Sequence, residues 1–485
     1  MTAQPDRPNV LIVQWDEMRA DTTGYMHHPV VQTPNLDRLA AISYNFTDHH
    51  SVSPVCAPAR HAFFTGKYPH VVGTPGGNMP LRPGVRFWPE IMNDHGYLSA
   101  VCGKLHHTPT NDPHGFSIAQ ITDSRNRSNA WIKWLEEQGL NYHADKRMIA
   151  NDSEPARERL AAGKPVSWGR SSIPEEYTET AFVANETVSF LANVKQEPFM
   201  FHASFKRPHD PHLPPAPWDR MYSWQQVTPP AIPECDIRDK PRFFQHCRKR
   251  WKNKELRPKD WADMAANYFG LISHLDHHLG RILDTLERNG LLDTTLVIFT
   301  SDHGTMLGEH GFYGKFFNYE ESTHIPLLIH LPGQQTGSVI SKTNSNIDVM
   351  PTALDYCDIP VPGDLQGRSL RPLIEGTDAD WDETFVMSAT GIGRDRDGRN
   401  PYLNDFKKGL RTERWKVNLV SGLVDGEWAT DWELYDRVRD PREVHNLAGD
   451  PEYREVFETM RNRLWLEVLK REATYDFTQY GIGVE

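Results

Sequence analysis

Four short apolar runs along this chain each end in a cluster of charged or imidazole side chains. That repeated pattern narrows the available folds more than any other feature. Residues 9–14 (Asn-Val-Leu-Ile-Val-Gln) run into Trp15-Asp16-Glu17, and residues 98–102 into Gly103-Lys104-Leu105-His106. Residues 199–205 run into Lys206-Arg207-Pro208-His209, and residues 295–300 into Ser301-Asp302-His303-Gly304. An apolar run without polar alternation is what a strand covered on both faces requires, and such strands belong to mostly parallel sheets between layers of helix. In open sheets of that kind ligands gather beyond the carboxyl ends of the strands.

The segments between these runs read as the covering helices. Thr33–Pro34 caps one that extends to about Ala41, and residues 88–95 form another with Pro89 in the first turn and Gly96 beyond its end. Residues 176–194 read as a third. Leu271, Leu275, Leu279, Ile282 and Leu286 share one face of a longer helix that Asn289–Gly290 ends. Residues 325–330 read as a further strand and 346–354 as part of a helix. Around Gly376 the character changes: residues 408–420 look like an antiparallel hairpin and 433–436 a short strand. Asp450–Pro451 caps an amphipathic helix carrying Val456, Met460, Leu464 and Val468. The expected fold is therefore α/β. A large mixed, mostly parallel sheet sandwiched by helices occupies residues 1–376, and a smaller α+β domain with an antiparallel sheet occupies 377–485. Residues 110–175 and 212–260 read as insertions, the first polar and irregular over the site. The basic run 248–254 in the second reads as a solvated face.

At 485 residues the chain is long enough for two domains, and 38% hydrophobic with 24% charged residues is ordinary globular composition. A net charge of −12 makes nucleic acid a poor partner and requires any anion site to concentrate its cations locally. No run approaches the roughly 18 apolar residues of a membrane span, and residues 9–15 are too short for a signal core. The five cysteines (Cys56, Cys102, Cys235, Cys247 and Cys357) are scattered and odd in number, which points to a reducing compartment and a cytoplasmic location.

Two groups of residues carry chemistry. Cys56-Ala57-Pro58-Ala59-Arg60 opens a helix: Pro58 suits a first turn and Gly66 can close the far end. Cys56 then faces the positive end of a helix with Arg60 about one turn on, an arrangement that favours an anionic ligand and a reactive side chain. Alone, the stretch could equally be a buried structural cysteine. The second group is the set of strand ends. Acids arriving at one point from separate strands repel each other unless a cation lies between them. Asp16, Glu17, Asp302 and His303 therefore make a candidate divalent site with mostly oxygen ligands.

The pentapeptide resembles the C-x-P-x-R signature of type I sulfatases in the alkaline phosphatase superfamily, on the side of the choline sulfatases and phosphonate monoester hydrolases. The likeness extends through Asn9–Asp16, Thr33-Pro34-Asn35-Leu36-Asp37, Gly103-Lys104-Leu105-His106 and Pro208-His209-Asp210-Pro211. It continues in Ser301-Asp302-His303-Gly304, Gly308-Glu309-His310-Gly311 with Lys315, and Glu433-Leu434-Tyr435-Asp436 to Asn446-Leu447. The resemblance implies that Cys56 is oxidised to formylglycine by a partner, the formylglycine-generating enzyme. The hydrated aldehyde then attacks sulfur beside one divalent ion held by Asp16, Glu17, Asp302, His303 and the modified Cys56.

In that reading Arg60 anchors the hydrate and the acids, while Lys104 and Lys315 neutralise the sulfuryl oxygens. His209 protonates the leaving oxygen, and His106 takes the second hydroxyl's proton so that sulfate departs. Asn78 is a candidate contact to substrate, although its Gly-rich turn could simply need an αL residue. His107, His212 and His310 read as core histidines. Two positions depart from the commonest family pattern: Glu17, usually Asp or Gln, and His303, often Asn. Ca²⁺ is expected first, with the nitrogen of His303 tilting the site toward Mn²⁺. Sulfate monoesters of a small molecule or saccharide are the expected substrates. A phosphonate monoester or phosphodiester hydrolase is the alternative, and an inert binding protein is disfavoured by the intact residue set. A homo-oligomer is left open.

Overall fold

The computed structural model describes residues 7–472, apart from 78, 111, 124–128, 141–148, 151–152, 165, 196–197, 233–237, 251–255, 379 and 392–404. Eight strands form the main sheet: β1 (Asn9–Asp16), β2 (Tyr44–Phe46), β3 (Leu98–Gly103), β4 (Ile118–Ile121), β5 (Phe199–Pro208), β6 (Thr295–Ser301), β7 (Leu327–His330) and β8 (Ser338–Ile340). Their order is β8-β2-β7-β6-β1-β5-β3-β4. The central β6-β1-β5-β3-β4 block is parallel, and β7 runs antiparallel to both β6 and β2.

Every residue of β1 is buried, as its unbroken apolar sequence requires. Leu11, Val13 and Trp15 face a layer built on the helices Pro34–Ala41, Glu179–Asn193 and Pro258–Arg288. Val10 and Ile12 face Phe63 and Phe64 of the helix Cys56–Thr65 and Val349, Met350 and Leu354 of the helix Val349–Tyr356. Burial of each such side chain contributes about 1.5–3 kcal/mol. Packing on both faces thus fixes the strand, and its end can carry charge that would be unfavourable elsewhere. Among the described residues no helix is long and apolar enough to cross a membrane.

A second, four-stranded antiparallel sheet follows in the order β9 (Phe385–Gly391), β10 (Asp405–Arg411), β11 (Trp415–Val424) and β12 (Glu427–Asp436). The expected hairpin is β10–β11. The helix Arg454–Glu472 lays Met460, Leu464 and Val468 on this sheet, and Asp450 accepts a hydrogen bond from Glu452 N just before it.

The segments expected to be insertions hold more structure than their composition implied. Residues 118–121 add the edge strand β4 to the main sheet, and Asn129 and Ser153 cap the short helices Ala130–Glu137 and Glu154–Ala161. An edge strand needs only one neighbour, so its Ile-Ala-Gln-Ile sequence lacks the long apolar run that marks the central strands. In the second segment the helix Arg242–Arg250 buries Phe243, Phe244 and Cys247. Part of the basic run 248–254 lies outside the described residues.

Candidate active site

Parallel pairing of β1 with β6 and β5 decides what meets at the sheet's carboxyl edge. Trp15 is in register with Ser301 and Phe205, so Asp16 and Asp302, one residue further along adjacent strands, emerge together. β3 brings Gly103 into register with Ser204 and so delivers Lys104. Gly103 has φ 117°, and a Cβ there would lie 1.8 Å from Ser204 O, so no other residue fits this approach. From the other side, the helix Cys56–Thr65 points its first residue at the cluster and ends at Gly66, which is left-handed with φ 62°.

Arg60 is wholly buried and joins these elements. Its Nε donates to Asp302 Oδ2 at 2.9 Å and its Nη2 to Asp16 Oδ2 at 2.9 Å. Nη1 donates to Lys104 O at 2.7 Å, Ser204 Oγ at 2.9 Å and Gln14 Oε1 at 3.1 Å. Lys104 Nζ also reaches Asp16 Oδ2 at 2.5 Å. Cys56 Sγ lies 3.0 Å from both Lys315 Nζ and His303 Nε2, and 3.9 Å from Asp16 Oδ1. Burial alone would raise the Cys56 thiol, but Lys104, Lys315 and His303 outweigh it and hold the group well below the usual thiol range.

The donor set fits a divalent cation. Asp16, Cys56, Asp302 and His303 offer ligand atoms that all lie within 4.8 Å of one another. Burial and the facing Asp16 carboxylate push Asp302 up, a repulsion between buried acids that Arg60 alone does not cancel. Two carboxylate oxygens and one imidazole nitrogen suit a hard or borderline metal. Glu17 stands apart from this group. Its backbone is at φ 68°, and its Oε1 accepts from Thr305 Oγ1 at 2.8 Å and its Oε2 from Lys315 Nζ at 2.9 Å. Its ligand atom clusters instead with Asp16 and His209.

The two expected proton carriers are placed differently. His106 makes a side-chain hydrogen bond to Cys56, and burial together with Lys104 depresses its basicity. His209 is about a quarter exposed, with Nε2 3.5 Å from Glu17 Oε2 and Nδ1 3.0 Å from Asp210 Oδ1. Burial and Lys315 oppose its protonation, but Glu17 and Asp210 push it up to about 10. His107, His212 and His310 are buried, and the nitrogens of His212 face Pro208 O and Tyr313 Oη. Asn78 lies outside the described residues.

Several supporting groups escaped the sequence reading. Ser301 Oγ donates to Trp15 O, 2.8 Å away, and accepts from Met18 N at 2.9 Å, which locks the end of β1 and the loop after it to the last residue of β6. Tyr268 Oη donates to Glu17 O at 3.0 Å and accepts from Arg19 N at 3.2 Å. A polar residue inside an otherwise apolar run, as Gln14 and Ser204 are, was the available signal for two of them. Tyr268 sits on a helix and gave none.

Residues 8–359 match the family model described as Sulfatase, and residues 308–470 that of the N-sulphoglucosamine sulphohydrolase C-terminal region. The chain belongs to the sulfatase family, in the alkaline phosphatase superfamily, and is an enzyme of that class. It is 28% identical to an arylsulfatase of Clostridium perfringens over 97% of this chain and 96% of that one. It is also 28% identical to the multifunctional alkaline phosphatase superfamily protein PehA of Trinickia caryophylli, over 92% of each. Among solved structures, a phosphonate monoester hydrolase from Silicibacter pomeroyi superposes with a TM-score of 0.80 at 26% identity, covering 96% of both chains.

Proposed function

We propose that the protein hydrolyses sulfate monoesters of small molecules or saccharides by way of a formylglycine made from Cys56. The convergence on Cys56 of Lys315, His303, Asp16 and Arg60-anchored Asp302 supports this reading above all else. Formylglycine, installed by a formylglycine-generating enzyme in a reducing compartment such as the cytoplasm, supplies a hydrated aldehyde as nucleophile. Asp16, Asp302 and His303, with Glu17 nearby, would hold a divalent cation that would supply Lewis-acid activation when bound; Ca²⁺ is the first choice and Mn²⁺ the second. The Cys56 sulfur marks where the attacking oxygen sits, so Lys104 and Lys315 neutralise the oxygens of the group under attack. His209, protonated at neutral pH and partly open to solvent, gives its proton to the departing alcohol oxygen. His106, on Cys56 and held neutral, accepts a proton from the oxygen at position 56.

Peptide mass spectrometry of the Cys56–Arg60 fragment tests the nucleophile: the expected product has lost sulfur and gained an aldehyde oxygen, and an active preparation carrying only cysteine overturns it. The substrate class is tested by kcat/KM for nitrophenyl sulfate, phenylphosphonate and phosphate on one metal-loaded preparation. The first two are monoanions and the phosphate monoester is mostly a dianion at neutral pH. A single cation site with two lysines suits the monoanions, so the phosphate should be slowest. A phosphonate that outruns the sulfate favours a phosphonate monoester or phosphodiester hydrolase, the reading supported by His303 and by the Silicibacter pomeroyi structure.

A further inference from the structure

On the far side of the sheet, away from Cys56, three donor atoms converge that no part of the mechanism uses. His274 and His278 lie one turn apart on the helix Pro258–Arg288 and are each about 1% exposed. Their Nε2 atoms are 3.1 Å apart. Glu175, opening the turn Glu175–Tyr177, sets Oε1 2.8 Å from His278 Nε2 and 3.4 Å from His274 Nε2. Around Zn²⁺, with bonds of about 2.0–2.1 Å, tetrahedral ligand atoms stand roughly 3.3 Å from each other. The triangle has the size of one face of that tetrahedron, and Glu175, its side chain about a quarter exposed, leaves the trio open to entry from solvent.

Charge completes the case. Among the described residues the ionic partners of Glu175 are these two histidines, and no lysine or arginine reaches it. Burial lowers His274 to about 4 and lowers His278 as well, so both rings are neutral with lone pairs available. A comparable trio, Asp48, His50 and His324, differs in that Arg411 already occupies Asp48. Arg281 instead faces the far side of His278, with Nη1 3.0 Å from Nδ1, while its Nη2 donates to Asn185 Oδ1 at 2.7 Å.

We propose that Glu175, His274 and His278 bind Zn²⁺ as a structural clamp between the turn Glu175–Tyr177 and the helix Pro258–Arg288. Without metal, Arg281 donates to His278 Nδ1, so the ring proton sits on Nε2 and points at Glu175. On binding, that proton moves to Nδ1, the Nε2 lone pair turns to the metal, and Arg281 swings off His278 while keeping Asn185. The same helix carries Tyr268, which supports the loop after β1, so the clamp stiffens a helix on which the active site leans.

The test is a Zn²⁺ titration against a coloured zinc chelator, on protein whose active site is kept saturated with Ca²⁺. The native chain, Glu175→Gln and the double variant His274→Gln/His278→Gln are compared, so zinc bound at the active site cancels in the difference. The native protein should take up one more equivalent than the double variant, and Glu175→Gln should bind it about tenfold more weakly or worse. Zinc should raise the native Tm by several degrees and leave that of the double variant unmoved. Equal uptake by native and double variant, or a native Tm that zinc does not move, overturns the proposal. Should the double variant fail to fold, Glu175→Gln on its surface turn decides alone, and an unchanged zinc affinity refutes the site.

Discussion

Two of the charge clusters among the described residues are built on opposite plans. One, between the main sheet and the second, sets Asp48, Glu320 and Glu443 against Arg411, Lys416 and Arg437, all three acids with a cationic partner. Arg411 meets Asp48 at 2.5 Å, Lys416 meets Glu443 at 2.7 Å and Glu320 at 3.1 Å, and Arg437 meets Glu320 at 3.2 Å. Its charges largely close on one another, although burial and Glu320 still push Glu443 up. The other cluster crowds Asp16 and Asp302 onto one guanidinium and aims Lys315 and His303 at a sulfur. There the acids push on each other, and Lys315 and His303, beside their carboxylate neighbours, also turn toward one sulfur. Buried charge that is self-satisfied holds a fold together. Buried charge left in excess around one atom is what a metal, a nucleophile and an anionic substrate together complete.

Removing a member of the open cluster should therefore destroy function and spare stability. Asp302→Ala takes away a ligand and one side of the Asp16–Asp302 repulsion. Metal content measured by mass spectrometry should fall to background and kcat/KM by about 10³-fold or more, with Tm held or raised. Full occupancy and full rate in this variant would break the contrast at once.

The closed cluster should respond the other way. Arg411→Met leaves the partly exposed Asp48 and Glu320 with one cation fewer, a loss of about 2–3 kcal/mol in urea unfolding, with kcat/KM unchanged. Burial raises Asp48 and Glu320, but Arg411 for the first and Lys416 for the second hold both below the ordinary carboxylate range. Acids depressed in the folded state stabilise it above their unfolded value of about 4, and that contribution is lost as pH falls. The gap between native and Arg411→Met should be widest at neutral pH and narrow below about pH 4. A gap that does not change with pH means the cluster is not held by charge.

How far each cluster was legible in the sequence follows from the same difference. The strand ends were readable because charged and imidazole groups follow apolar runs there, so Asp16, Lys104, His209 and Asp302 stood out as candidates. Register did the rest, since parallel neighbours deliver their ends to one edge. The closed cluster gave no such sign. Asp48 stands in a turn, Glu320 opens the short helix Glu320–Thr323 and Arg411 ends β10, places where charge is ordinary, and only the packing of the second sheet brings them together. Glu175, His274 and His278 were missed for a related reason: the helical spacing was visible, but the carboxylate that meets it comes from a turn distant in sequence. The strand at 118–121 was hidden because an edge position does not demand the apolar sequence of a centre.

His209→Ala probes the rim of the open cluster, where exposure begins. Alkyl sulfates, whose alcohols leave poorly, should lose about 10²–10³-fold in kcat/KM. Nitrophenyl sulfate should lose far less, because its leaving group departs without a proton. Equal losses on both substrates would make His209 a binding residue and leave the proton donor to be found.

Glu17 gives the smallest effect and the finest division, because it belongs by sequence to the metal acids and by geometry to the rim. Its carboxylate bonds Thr305 and Lys315 and lies beside His209, outside the group formed by Asp16, Cys56, Asp302 and His303. Glu17→Gln keeps the shape and a carbonyl oxygen, so metal occupancy should persist and kcat/KM fall by about tenfold or less. The negative charge is lost, however, and it helps push His209 up to about 10. Without it His209 gives up its proton at lower pH, so the alkaline limb of the kcat/KM profile should move down while the acid limb stays. Glu17→Ala then separates the two roles. A variant that keeps its metal but shows the same shifted limb assigns Glu17 to tuning the proton donor. One that loses metal as fully as Asp302→Ala returns Glu17 to the ligands, and shows that binding the ion draws it inward from the position it holds here.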